Sequence, residues 1–136
     1  MKVQPYLNFD GRAEEAMAFY AKAVGATVTA LMRCKEAPEG PPITPGLEDK
    51  IMHAEFQVGE TTLMCSDGYC TGAPLSFQGI TLTLTTADDA EAQRMFAALL
   101  ADGGAVQMPL EKTFFASSFG MLADRFGVGW IVITQG

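Results

Sequence analysis

The one histidine of the chain, His53, lies in the segment KIMHAEF, two residues before Glu55. Side chains two apart on a strand share a face, and an imidazole beside a carboxylate can move a proton near neutral pH. His53 and Glu55 are therefore the candidate catalytic pair. Gln57 continues their phase, while Met52, Ala54, Phe56 and Val58 hold the other, so the polar set is expected to line an open face. A second polar row, Gln4, Tyr6 and Asn8, alternates with Pro5, Leu7 and Phe9. The expected ligand-binding set is Tyr6, Asn8, Arg33, His53, Glu55 and Trp130: hydrogen-bonding groups, one cation for an anionic ligand, and an indole that can stack on a planar one. The side chains able to hold a metal are Gln4 through its amide oxygen, His53 and Cys65. Combining His53 with Cys65 and Cys70 matches no structural zinc spacing.

These residues need elements to position them. Segment 4–9 alternates as a half-buried strand. Asp10-Gly11 then reads as a helix entry with Asp10 as cap and Glu14 and Glu15 in the first turn. Ala16, Phe19, Tyr20, Ala23 and Val24 form an apolar helical stripe that Gly25 ends. A strand over 27–35 follows, then residues 36–50, which hold four of the seven prolines and read as an irregular connection. Strands over 51–58 and 61–66 are joined by a tight turn at Gly59-Glu60. The order then repeats: a strand over 79–85, a helix opened by Thr86 with acids in its first turn, a stripe of Ala92, Met95, Phe96, Leu99 and Leu100, and glycines at 103–104. Extended segments over 106–111, 114–123 and 130–134 complete the second set. The helices overlay, Glu15-Ala16 on Glu91-Ala92 and Phe19-Tyr20 on Met95-Phe96. Two β-α-β-β-β units in one chain imply duplication: module one over 1–68, a linker over 69–77 and module two over 78–136, joined as one α+β domain.

With 136 residues, 49% of them hydrophobic, the chain is long and apolar enough to fold, which excludes a disordered segment. Sixteen acids against nine bases, a net charge of −7, disfavour nucleic acid as a partner. The longest uncharged stretch, 68–87, is broken by Gly72, Pro74 and Gly79, so no membrane span is expected. Three cysteines without framework spacing read as free thiols in a reducing compartment. A cytoplasmic protein is expected.

Three stretches, VQPYLNFDGRAEEAMAFYAKAVGA, EDKIMHAEFQVGETTLMCSDG and FGMLADRFGVGWIV, resemble the PhnB-like branch of the vicinal oxygen chelate superfamily. That superfamily includes glyoxalase I, bleomycin-resistance proteins and extradiol dioxygenases. The resemblance implies the glyoxalase-like fold, two βαβββ modules whose curled mixed sheet surrounds a cleft, in a homodimer. Members are often labelled demethylubiquinone methyltransferases. The residues give that label no support, since the only close glycine pair away from the helix ends, Gly127-Val128-Gly129, precedes a strand instead of following one.

Catalytic relatives hold a divalent metal on His, Gln or Glu from the first and fourth strands of each module. At the matching places stand Gln4 and then Met64, Cys65 or Ser66 in module one, Gln78 or Thr81 and then Ile131 in module two. A hard divalent ion wants three or four convergent nitrogen or oxygen donors. The expectation is a small-molecule ligand, no cofactor, a disfavoured divalent metal, and no assigned reaction. Two alternatives stand beside it: a metal-dependent lyase or dioxygenase relative with ligands rearranged to His53, Glu55 and Gln4, and a non-catalytic sequestration dimer.

Overall fold

The computed structural model describes residues 1–37 and 43–135. Contacts divide the chain into two units, Met1–Pro74 and Leu75–Gly136. In the first unit the elements run β1 (Tyr6–Asn8), α1 (Ala13–Val24), β2 (Thr27–Arg33), a 3-10 turn (Cys34–Glu36), β3 (Ile51–Val58) and β4 (Thr61–Ser66). The second unit runs β5 (Thr81–Thr85), α2 (Asp89–Leu100), β6 (Ala105–Glu111), β7 (Ser118–Ala123) and β8 (Gly129–Thr134). The sheets have matching orders, β1-β4-β3-β2 and β5-β8-β7-β6, with the first pair parallel and the others antiparallel. Element order, strand order and strand sense all repeat, so the fold is a duplicated βαβββ unit of α+β class. The central prolines of the 36–50 segment, Pro38, Pro41 and Pro42, lie outside the described residues.

In the first unit one face of the sheet is dry. Leu7, Ala54, Phe56, Leu63 and Cys65 are buried with Ala16, Met17, Tyr20 and Val24 of α1. Tyr20 stacks on Phe56 with ring centroids 5.8 Å apart. Helix α1 ends as its sequence demands, at Gly25 with φ 71°, a conformation that glycine adopts without strain. Its start differs from expectation. Asp10 does not cap it; the Asp10 carboxylate accepts from the Thr71 N–H and hydroxyl and from the Gly72 N–H. The cap is remote: buried Asp67, just past β4, accepts from Ala13 N–H at 2.7 Å and, on its other oxygen, from Ile51 N–H at 2.7 Å. One carboxylate thus joins the beginnings of α1 and β3.

The second unit packs Ala92, Phe96 and Leu99 of α2 against Leu122, Trp130 and Val132. Here Asp88, and not Thr86, caps the helix by accepting from Glu91 N–H at 2.8 Å. Helix and sheet approach closely at Gly120, where a Cβ would lie 2.7 Å from Phe96 and 2.9 Å from the Leu110 backbone. The β7–β8 turn is built around buried Asp124, which accepts from Phe126 N–H (2.8 Å), Val128 N–H (3.1 Å) and the indole N–H of Trp130 (2.9 Å). Strand β7 is shorter than the 114–123 expected: residues 114–117 turn, with the Thr113 hydroxyl accepting from Ala116 N–H.

Two surface carboxylates give the fold an acid limit. The Thr71 N–H holds the Asp10 carboxyl below its ordinary value, and the Ser117 and Ser118 hydroxyls do the same for Asp89. A depressed folded pKa adds stability above the unfolded pKa, and that stability is lost as pH falls through the folded one. Chemical denaturation from neutral pH downward is expected to show stability falling below about pH 4. Asp89→Asn should make that fall shallower; an unchanged slope would remove Asp89 from the account.

Candidate functional site

The face of the first sheet opposite α1 carries the polar residues. Strand pairing puts Tyr6 of β1 opposite Met64 of β4, and Met64 opposite Glu55 of β3, which pairs with Ala30 of β2. His53, two residues before Glu55, pairs with Met32. Within this face the Tyr6 hydroxyl lies 3.0 Å from His53 Nδ1, and His53 Nε2 lies 3.3 Å from a Glu55 carboxylate oxygen. The Tyr6 and His53 rings are 5.6 Å apart and tilted. All three side chains remain partly exposed, His53 at 35% and Glu55 at 38%, so a molecule from solution can reach them. Period-two alternation sets their common face, and pairing of β1 and β3 with opposite edges of β4 brings them together.

The other expected residues take different places. Gln4 donates from its amide nitrogen to the Thr62 carbonyl. Asn8 accepts from Asp10 N–H in a local turn, and its side chain fills the space where a Cβ on Gly68 would stand. Arg33 belongs to an ion pair with Glu14 of α1 at 2.7 Å and also donates to the Asp49 carbonyl, which ties β2 to the helix instead of leaving a cation for a ligand. Trp130 is 3% exposed with its N–H on Asp124, a core residue of its unit and not a stacking surface. Cys65 faces α1, fully buried, and burial pushes its thiol up to about 12.

That burial predicts reactivity. With the folded chain at neutral pH, a thiol reagent is expected to titrate Cys34 and Cys70, both partly exposed, and to reach Cys65 only on unfolding. Three thiols reacting at one rate in the folded state would contradict the burial.

Matching ladder bonds let the two units be compared position by position. Phe9 N–H donates to Ser66 O in the first and Thr86 N–H to Ile133 O in the second. Extending the strand pairing from these bonds aligns Tyr6 with Thr83, Met64 with Ile131, His53 with Phe119 and Glu55 with Met121. The phenol–imidazole–carboxylate chain therefore exists in one half alone, and its counterpart has one hydroxyl among apolar side chains. The donor set does not fit the superfamily's hard divalent ion: the fourth-strand places hold Met64 and Ile131, and a thioether and a hydrocarbon offer it no oxygen or nitrogen. Among the described residues, no three His, Cys, Asp or Glu side chains are grouped to hold a metal.

Residues 1–133 match the family model for 3-demethylubiquinone-9 3-methyltransferase. The crystal structure of PA1353 from Pseudomonas aeruginosa is similar over 99% of this chain and 98% of its own, with 41% identity and a TM-score of 0.84. The PhnB protein from Bacillus cereus is 32% identical over 98% of this chain and 99% of its own, TM-score 0.80. YjdN of Escherichia coli is 31% identical, covering 97% of this chain and 94% of that one. In fold alone the chain is also similar to a glyoxalase/bleomycin resistance protein from Albidiferax ferrireducens, at 15% identity over 98% of each chain and a TM-score of 0.61.

Proposed function

Since this chain belongs to the PhnB-like 3-demethylubiquinone-9 3-methyltransferase family, with a glyoxalase-like fold, we propose that it binds a small organic molecule on the open face of its first sheet, without the divalent ion of the wider superfamily. The observation that carries this reading is the hydrogen-bonded chain Tyr6–His53–Glu55, half exposed on a sheet face. Such a chain gives a ligand one oriented polar anchor. Met32 and Met64 beside it supply adaptable apolar contact. Methyl transfer has weaker support: the close glycine pair at 127 and 129 belongs to the turn around Asp124, with a strand and no helix N-terminus after it. The same reading includes a homodimer in the cytoplasm, in keeping with three free cysteines and with the assembly that the superfamily resemblance implies.

Two measurements test the proposal. Elemental analysis after dialysis against manganese, zinc and magnesium is expected to find well below one ion per chain; a stoichiometric, tightly held ion would overturn the metal-free part. A thermal-shift screen of phenols, aromatic acids and quinones is expected to yield compounds that stabilise the wild type and lose about tenfold in affinity with His53→Ala. Compounds whose binding ignores that substitution would move the site elsewhere.

A further inference from the structure

We propose that the anchor ends in a hydrogen-bond acceptor at neutral pH, so that the ligand for which it is built carries a weakly acidic hydroxyl, a phenol or an enol. This rests on the binding reading above and adds the class of ligand.

The direction of the chain follows from proton counting. At neutral pH the Glu55 carboxylate has no proton to give and can only accept. The nitrogen facing it, His53 Nε2, must therefore carry the imidazole proton. A neutral imidazole has one N–H, so Nδ1 is left as a lone pair, and the group 3.0 Å from it, the Tyr6 hydroxyl, must donate. A phenol has a single proton. With that proton turned inward, Tyr6 presents only oxygen lone pairs to a molecule arriving from solution. A ligand hydroxyl satisfies them; an ether or a carboxylate in the same place sets lone pair against lone pair.

The chain can also take the proton. A ligand O–H breaks as its proton passes to the Tyr6 oxygen, and the proton of Tyr6 passes to Nδ1. The products are a ligand oxyanion and an imidazolium held by Glu55, with no electron transferred and no further reactant. Protonating His53 from solution reverses the arrangement. Both ring nitrogens then donate, Nδ1–H points at the Tyr6 oxygen, and the phenol proton turns outward, so the anchor ends in a donor and favours an anion.

The neighbours of the ring leave this logic intact. Tyr6 from β1 and Glu55 from β3 are the charged or titratable groups seen to bond it among the described residues. Its partner on β2 is Met32, and on β4 Met64 stands opposite Glu55 and Tyr6. Arg33, next along β2, is paired with Glu14. Helix α1 lies behind the sheet, beyond buried Ala54 and Cys65.

Because the chain has one histidine, ¹⁵N-histidine labelling gives the two ring-nitrogen signals of a single imidazole, Nδ1 and Nε2. The wild type at about pH 7.5 is expected to show the Nε2–H tautomer, and Glu55→Gln, whose amide can accept or donate, a mixture. A pure Nδ1–H tautomer in the wild type would overturn the proposal. Binding is read by ¹⁹F NMR with three probes: 4-fluorophenol, its methyl ether 4-fluoroanisole, and 4-fluorobenzoate. At about pH 7.5 the phenol should bind about tenfold more tightly than either of the others. Tyr6→Phe should erase that preference. Equal binding of phenol and ether by the wild type sinks the donor inference and leaves the binding face standing. If no probe perturbs the His53 signal at millimolar concentration, the binding reading and this proposal fall together.

Discussion

Asp124→Ala is expected to lower folding stability by about 4 kcal/mol, read as a lower urea midpoint at 25 °C. Three donors converge on this one buried carboxylate: two backbone N–H groups of the β7–β8 turn and the Trp130 indole. Truncation leaves all three without that acceptor. Each buried donor so orphaned costs about 1–3 kcal/mol, which is large against a total stability of about 5–15 kcal/mol for a domain. Asparagine separates the parts. One amide oxygen can still serve the Phe126 and Val128 N–H groups, but the amide nitrogen then faces the Trp130 N–H, donor against donor. Asp124→Asn should therefore lose about half as much as alanine. Adding Trp130→Phe, which removes the clashing donor, should cost less than the two single losses summed, by about 1 kcal/mol. If Asp124→Ala costs less than about 1 kcal/mol, the turn does not depend on this carboxylate.

Asp67→Ala is the second large effect, expected at about 3 kcal/mol by the same measurement. The reason differs: Asp67 joins segments far apart in sequence, the starts of α1 and β3. The residue before α1, Arg12, makes no cap bond with its side chain, so no local group stands in when Asp67 is lost. Hydrogen exchange should report the site of damage. Protection of the Ala13 and Ile51 amides is expected to collapse first, while the amides of β8 exchange as before. Uniform loss across the chain would show instead that Asp67 contributes to global stability without a specific joint.

Only part of the physics that shapes this fold is local. Strands over 51–58 and 61–66 and the Gly25 terminus are readable from alternation and from glycine alone, because short-range sterics and one buried face decide them. The caps were not. Asp10 has the right type and place to cap α1, yet it holds Thr71 and Gly72, and a carboxylate 54 residues away from Ala13 does the capping. No local pattern encodes such a choice between two aspartates. The site divides the same way. Tyr6, His53 and Glu55 share a face by phase, which the sequence displays. Their hydrogen bonding needs β1 and β3 on opposite edges of β4, which it does not. Residue type alone does not place Trp130 and Arg33; indole and guanidinium groups also serve cores and ion pairs, and here Asp124 and Glu14 take them.

The glycine at 120 carries a consequence for the history of the chain. Its counterpart in the first unit, by the same ladder comparison, is Ala54, which already has the Cβ that position 120 cannot accept without moving Phe96 or the Leu110 backbone. At this position the two halves therefore pack differently. A recombination that pasted the first half's third strand into the second would drive a methyl group into main chain. The two halves are thus not interchangeable at this strand: one carries the Tyr6–His53–Glu55 chain, the other glycine and a largely apolar face.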